Sequence, residues 1–184
     1  NGDLIDARGA TEFEDDDDDL KFWSREKTAG RVKRTNQELL LYTVLIIETG
    51  KEVRMDKLFL EYKAHLKGMD TAAKLAFLQR LKAHAETYRQ FPGHEDLNEI
   101  AFGEVEKRVF HVIEYLEITT VYPLLLFLYD RIGDVPDRLK ALTLIESYLV
   151  RRLVSKLTSK NYNRLFIQIM QDLKSKPTID AAAL

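Results

Sequence analysis

Tyr122-Pro123-Leu124-Leu125-Leu126-Phe127-Leu128-Tyr129 is the stretch that decides the fold of this chain, and it contains no charged residue. A helix that is apolar on every side must be surrounded by other elements, because no face of it can be left to water. The stretch therefore predicts a central helix, which we expect Thr119 or Thr120 to cap. Pro123 fits such a helix only in the first turn, where its missing N–H costs no hydrogen bond.

The next predicted helix begins after Gly133, with Asp134 as its cap, and runs to about Lys156. At 100° per residue, one face carries Glu146 within an apolar stripe made of Leu139, Leu142, Leu149, Val150, Leu153 and Leu157. Burying an unpaired carboxylate costs several kcal/mol, so Glu146 needs an Arg or Lys partner, hydrogen bonds from buried groups, or access to solvent. The opposite face carries Leu144, Tyr148, Arg151 and Ser155, with Arg152 at its edge. Mixed apolar and cationic groups indicate a contact surface, with Leu144, Tyr148 and Glu146 as candidate interface residues.

Three separated segments of the chain are Tyr122 to Leu126, the run Glu146-Ser147-Tyr148-Leu149-Val150-Arg151-Arg152, and the run Lys160-Asn161-Tyr162-Asn163-Arg164-Leu165-Phe166. In this order and at these separations they resemble the helical part of GmrSD-type restriction nucleases. Phe22-Trp23-Ser24-Arg25-Glu26, followed by Gly30-Arg31 and Arg34, resembles the same family, so the resemblance covers most of the chain. It implies a prokaryotic defence protein with a ParB-like nucleotide-hydrolysing domain before this region and an HNH-type nuclease domain after it.

The composition is that of an ordinary globular chain. Its 184 residues are 45% hydrophobic and 32% charged, which is enough for one domain with its own core. The formal charge of −2 gives no global signal for nucleic acid. The chain contains no cysteine, no apolar run long enough to span a membrane and no export signal, so we expect a cytoplasmic protein without membrane partners. Because Asn1 is not an initiator methionine, we also expect a fragment or a processed piece.

Helix signals recur along the whole chain, and no strand pattern with hairpin turns accompanies them. The first predicted helix begins at a Thr35 and Glu38 capping box and ends at Gly50. The next three cover about Met55 to Lys67, Asp70 or Thr71 to Phe91, and about Asp96 to Leu116. After the two helices described above, a last helix runs from a Ser159 cap to Lys176-Pro177. The predicted fold class is all-α, a single-domain bundle or orthogonal array of about seven to eight helices.

Three regions divide the predicted chain. Residues 1–34 form a charged, partly helical segment that carries the acidic block Glu14 to Asp19, and Phe22 and Trp23 anchor it on the core. Residues 35–176 form the all-helical domain, and residues 177–184 form a flexible tail.

Catalytic motifs are missing from the sequence. His65, His84, His94 and His111 lie on different predicted elements, no phosphate-binding glycine loop occurs, and both the ParB-like Asp-Gly-Gln-Gln-Arg motif and an HNH cluster are absent. His111 and Glu114 could be paired for proton transfer, although a hydrogen-bonded structural histidine is the commoner arrangement. We therefore predict no catalytic residue, no metal site and no cofactor in this chain.

A basic segment is the remaining candidate for function, and its nucleic-acid-binding residues would be Arg151, Arg152, Lys156, Lys160, Asn161 and Arg164. Three interpretations are open. Cations at the end of a helix stabilise its dipole, or they contact phosphates together with the amides of residues 159–161, or Arg151 or Arg152 pairs with Glu146 or with a neighbouring domain.

Two functions follow as expectations. The resemblance implies a non-catalytic helical connector between the ParB-like and HNH domains of a restriction endonuclease that defends bacteria against foreign modified DNA, with duplex DNA as a further partner. The alternative is a stand-alone helical module that binds a protein through Leu144, Tyr148 and Arg151.

Overall fold

The computed structural model describes residues 17–29, 32–92, 99–176 and 178–184, and within these ranges α-helices predominate. The expected all-α class is confirmed. The helices are α1 (Asp17–Ser24), α2 (Asn36–Thr49), α3 (Leu58–Leu66), α4 (Thr71–Arg89), α5 (Val105–Tyr115), α6 (Tyr122–Arg131), α7 (Val135–Val154) and α8 (Tyr162–Lys174). Residues 1–16, Gly30, Arg31, the predicted helix start at Asp96 and the predicted stop at Pro177 lie outside the described residues.

Helix α6 is the centre of the fold, as its apolar sequence predicts. Every residue from Tyr122 to Tyr129 is buried, and α2, α4, α7 and α8 pack around the helix. Pro123 lies in the first turn. The predicted cap is wrong, because Thr119–Val121 form a 3₁₀ turn and no side chain caps the start of α6.

Four predicted helix boundaries are confirmed by their hydrogen bonds. Thr35 and Glu38 form a reciprocal capping box at the start of α2, with N···O distances of 3.2 and 3.1 Å. Gly50 ends that helix in the left-handed conformation, at a φ of 63°. Asp70 accepts the Ala73 N–H at 2.7 Å, and Asp134 accepts the Asp137 N–H at 2.9 Å. Each cap satisfies backbone groups that would otherwise lack a partner inside the helix.

Helix α5 begins later than its apolar spacing predicts. Its first residue is Val105 rather than one near Asp96. Phe102 and Gly103 form a turn, and the Glu104 carboxylate accepts the Ala101 N–H at 2.8 Å. Ile100 therefore lies outside the helix, while Val109, Phe110 and Ile113 on it are buried.

A β-hairpin that the sequence pattern did not predict lies between α1 and α2. Strands β1 (Glu26–Ala29) and β2 (Val32–Thr35) are antiparallel, with Glu26 opposite Thr35. The preceding helix is anchored as expected, because Trp23 is buried and stacks on Tyr88 with ring centroids 6.1 Å apart. The hairpin thereby continues directly from a fixed point on the core.

Helix α7 buries only part of the predicted stripe, in which Leu142 and Leu149 are buried as expected. Ala141, Leu142, Ile145 and Leu149 are its buried residues, whereas the expected core positions Val150, Leu153 and Leu157 are exposed. The segment predicted to be a flexible tail contacts this helix, since the Ala181 N–H donates to the Asp137 carboxylate at 2.8 Å. The core therefore ends near Leu149, and the last part of α7 projects beyond it.

Candidate functional site

The projecting end of α7 is closed by a Schellman motif. The Leu157 N–H donates to the Arg152 carbonyl at 2.9 Å, and the Lys156 N–H donates to the Leu153 carbonyl at 2.9 Å. Lys156 takes the position that usually carries glycine, and its φ is 52°. A left-handed residue with a Cβ costs about 1–2 kcal/mol. Lysine at this position therefore lowers the stability of the fold relative to glycine.

The predicted cations form two groups in the structure. Arg151, Lys156, Lys160 and Arg164 are exposed, and so is Asn161. Within the described ranges, none of these four cations has a carboxylate within ion-pair distance. Their side chains are thus available to an external anion.

Arg152 instead belongs to the internal packing of this end. Its Nη2 donates to the Thr158 carbonyl at 2.6 Å, and its guanidinium lies over the rings of Tyr148 and Tyr162, 5.6 and 5.4 Å from their centroids. It is half-buried, and its Nε atom is buried without a hydrogen-bond partner in the described part of the chain. Arg152 therefore holds the turn that follows α7 and positions its neighbours.

The predicted contact face of α7 is present as a shallow groove with a cavity volume of about 410 Å³. Tyr148 forms its inner wall, because its ring packs against Tyr162 and Phe166 of α8 with centroids 6.1 and 6.4 Å apart. The lining residues are Leu144, Ser147, Tyr148, Arg151, Arg152, Ser155 and Leu157. A groove lined by apolar side chains and the exposed Arg151 guanidinium can hold both an aliphatic side chain and a negative charge.

Exposed apolar side chains continue from this groove to the end of the helix. Val154 is 75% exposed and Leu153 is 54% exposed, and Leu144, Val150 and Leu157 are also exposed. Single exposed apolar residues are ordinary, but Val150, Leu153, Val154 and Leu157 are four exposed apolar residues within eight positions at the end of one helix, and exposed apolar groups that occur together are typical of contact sites. We refer to these apolar residues and the four exposed cations together as the α7–α8 end.

Glu146 has the cationic partner that its position requires, but the partner is on α5. Arg108 Nε and Nη2 donate to the two carboxylate oxygens at 2.7 and 2.8 Å. This pairing raises the pKa of the Arg108 guanidinium. The hypothesis that Arg151 or Arg152 pairs with Glu146 is therefore wrong, because the Glu146 carboxylate is turned toward α5 and both its oxygens are engaged there.

The predicted anion site at the start of α8 is also different in the structure. Helix α8 begins at Tyr162 and no side chain caps it, so Ser159 is not its N-cap. The Lys160 N–H donates to Thr158 Oγ1 at 3.1 Å, and the Tyr162 N–H donates to the Ser159 carbonyl at 3.0 Å. Of the three amides predicted to face an anion, that of Lys160 therefore has an internal acceptor instead.

A second groove, which the sequence reasoning missed, lies between β1 and α5. At its floor the Lys27 ammonium is 2.5 Å from a Glu114 oxygen and donates to the Tyr122 hydroxyl at 3.2 Å. Burial, followed by the nearby Glu114 charge, raises the pKa of the Tyr122 hydroxyl. The spacing of His111 and Glu114 on one helix was the only sequence signal for this groove, since Lys27 reaches it from the unpredicted hairpin.

Comparisons with models of known protein families, with characterised proteins and with solved structures gave no significant match. In the part of the chain that the structure describes, no helix has the length and apolar character needed to cross a membrane. In the same residues, no three or more His, Asp or Glu side chains are placed together so that they could hold a metal ion.

Proposed function

We propose that this chain is the non-catalytic helical connector domain of a GmrSD-like restriction endonuclease that acts against foreign modified DNA, and that its α7–α8 end contacts DNA phosphates. The observation that carries the proposal is the set of four exposed cations, Arg151, Lys156, Lys160 and Arg164, with no ion-pair partner in the described residues. The family itself is proposed on the resemblance described above.

Charge supports a phosphate contact at this end. The protein as a whole has a formal charge of −2, yet these four cations lie within fourteen residues that contain no Asp or Glu, from Arg151 to Arg164. Like charges held close together repel one another, and a bound polyanion removes that repulsion while releasing its own counterions. Contacts of this kind orient a protein on DNA without reading its sequence, which suits a connector domain.

Exposed apolar groups support the connecting role. Leu153, Val154 and Leu157 project beyond the core at the same end, where a neighbouring domain would remove them from water. Burial of apolar surface contributes roughly 25 cal/mol per Å², so these side chains would stabilise a docked ParB-like or HNH domain. The cations beside them would then lie at the edge of the joint between the domains.

The salt dependence of DNA binding tests the proposal. The variant Arg151→Ala, Lys156→Ala, Lys160→Ala is compared with the wild-type chain by fluorescence anisotropy, using a labelled duplex between about 50 and about 200 mM salt. The slope of log K against log salt is expected to become shallower by about 0.9 for each lost phosphate contact.

A charge-matched control separates local contacts from the effect of net charge. Lys63, Lys67 and Lys74 are also exposed, and changing all three to Ala removes the same charge from α3, α4 and the turn between them. We expect this control to keep the wild-type slope. Equal slopes for the wild type and both variants would refute the phosphate contact.

A second function is favoured by the groove on α7. Its apolar and cationic lining suits a protein segment that inserts an aliphatic side chain beside Tyr148 and a carboxylate beside Arg151, as a stand-alone interaction module would require. Leu144 is exposed, so Leu144→Ser leaves the core intact. A partner whose affinity falls with Leu144→Ser, together with DNA binding that is absent in the wild type, would replace the first proposal by this one.

A further inference from the structure

The groove between β1 and α5 has the size of a small-ligand site, with a cavity volume of about 530 Å³. Ligand sites in proteins commonly have volumes of about 300–1,000 Å³. We call it the hairpin groove. The hairpin forms one wall and the C-terminal half of α5 forms the other, and the side chains used below are Arg25, Lys27, His111, Glu114, Tyr115 and Tyr122.

The floor of the hairpin groove offers a hydrogen-bond donor beside an acceptor. Lys27 and Glu114 are largely buried, with side chains 15% and 18% exposed. An ammonium group has three N–H donors, and Lys27 directs two of them to Glu114 and Tyr122. A carboxylate accepts up to about four hydrogen bonds, so Glu114 can accept one from a ligand in addition to its contacts within the protein. A ligand edge with an adjacent donor and acceptor can therefore bind across the pair.

The lip of the hairpin groove offers an aromatic face. Tyr115 is 78% exposed, and its ring is nearly parallel to that of His111, at 16°, with centroids 6.4 Å apart. Arg25 is exposed at the rim, and its side chain has no ion-pair partner among the described residues. An exposed aromatic ring beside a free cation suits a ligand with both a planar ring and a phosphate.

We propose that the hairpin groove binds a nucleobase, which stacks on Tyr115 and places its hydrogen-bonding edge against Lys27 and Glu114. A purely apolar ligand would gain no hydrogen bond from the floor. A simple anion would be repelled by Glu114, and a metal cation would be repelled by Lys27. The base comes either from a free nucleotide or from an unpaired position in a strand. This site is separate from the α7–α8 end and does not require the phosphate contacts proposed there.

Isothermal titration with cytidine monophosphate and adenosine monophosphate tests the proposal, with ribose 5-phosphate as the ligand that lacks a base. The nucleotides are expected to bind more tightly than the sugar phosphate. Base stacking on an aromatic side chain makes Tyr115→Ala weaken nucleotide binding by about 5- to 150-fold. The matched control is Phe59→Ala, which removes another exposed ring, 71% accessible, from α3, and is expected to leave the affinity unchanged.

A duplex with one bulged base, compared with the fully paired duplex, identifies the source of the base. Tighter binding of the bulged duplex that Tyr115→Ala abolishes assigns the site to unpaired bases in strands, and equal binding of both duplexes assigns it to free nucleotides. The proposal is overturned if the nucleotides bind no better than ribose 5-phosphate, or if Tyr115→Ala leaves their affinity unchanged. The triple α7–α8 variant is expected to keep nucleotide affinity, so each proposal can fail without the other.

Discussion

The ion pair between Arg108 and Glu146 is expected to fix α7 on α5, and removing either partner tests this directly. The pair is bidentate, at 2.7 and 2.8 Å, and the side chains are only 19% and 13% exposed. Breaking a buried pair costs about 3–5 kcal/mol because one charge stays buried without its partner. The remaining exposure places Arg108→Ala near the lower limit, at about 3 kcal/mol.

The two single variants are expected to differ. After Glu146→Ala, Arg108 still donates to the Phe102 carbonyl and lies 4.7 Å from the centroid of the Phe102 ring. After Arg108→Ala, Glu146 has no comparable partner among the described residues. Glu146→Ala should therefore cost less, about 2 kcal/mol. The double variant should show a coupling energy of at least about 1 kcal/mol.

Urea unfolding, followed by the fluorescence of the single tryptophan, Trp23, and by circular dichroism, measures these costs. The control is Arg54→Ala, which breaks another bidentate pair, with Asp56, whose side chains are 63% and 58% exposed. Such exposed pairs contribute about 0–1 kcal/mol. A stabilising role for the ion pair is refuted if Arg108→Ala costs no more than Arg54→Ala, or if the effects of the Arg108 and Glu146 changes simply add.

Three further predictions concern backbone strain and buried hydroxyls. Gly50→Ala should cost about 1–3 kcal/mol in a urea titration, because φ is 63° and the new Cβ would lie 1.5 Å from the Gln171 amide nitrogen. Lys156→Gly should stabilise the fold by up to about 1 kcal/mol, since it relieves a φ of 52°. The same change removes a cation and should weaken DNA binding. If the variant lost both stability and DNA binding, this would contradict the assignment of Lys156 to DNA binding. Burial raises the pKa of the Tyr42 hydroxyl from 10.0 to about 12 and also raises that of the Tyr122 hydroxyl. The stability that these two neutral hydroxyls contribute is therefore complete below pH 10, and it is lost as the pH rises from 10 through their raised pKa values. Tyrosinate absorbance from these two residues and loss of helical circular dichroism should therefore appear together in an alkaline titration.

Local signals predicted the helices well where the deciding interactions are themselves local. The Thr35 and Glu38 capping box and the Asp134 cap act within one turn of backbone, so their residue types suffice. The burial of α6 also followed from composition, because an uncharged apolar helix has no face that water tolerates.

The missed features depend on contacts between distant residues. The hairpin strands Glu26–Ala29 and Val32–Thr35 carry few apolar side chains, and Lys27 finds its partners, Glu114 and Tyr122, far along the chain. Strands with so few apolar residues show no apolar–polar alternation, so the pattern did not predict them, and the hairpin groove was missed as a result.

The face of α7 was misjudged for the same reason. Leucine spacing alone predicted a stripe that continues to Leu157, whereas the surrounding elements cover Ala141 and Ile145 and leave Leu153 exposed. Periodicity identifies an apolar face, but the neighbours of a helix decide how far along it that face is buried. The same uncovered residues became part of the candidate contact surface.

A titration of the isotope-labelled chain with duplex DNA, followed by backbone amide chemical shifts, shows whether the α7–α8 end contacts DNA. We expect the perturbed amides to cluster from Arg151 to Arg164, where the exposed cations lie. Perturbations confined to α3 and α4, or no perturbation at DNA concentrations that saturate the anisotropy signal, would contradict it.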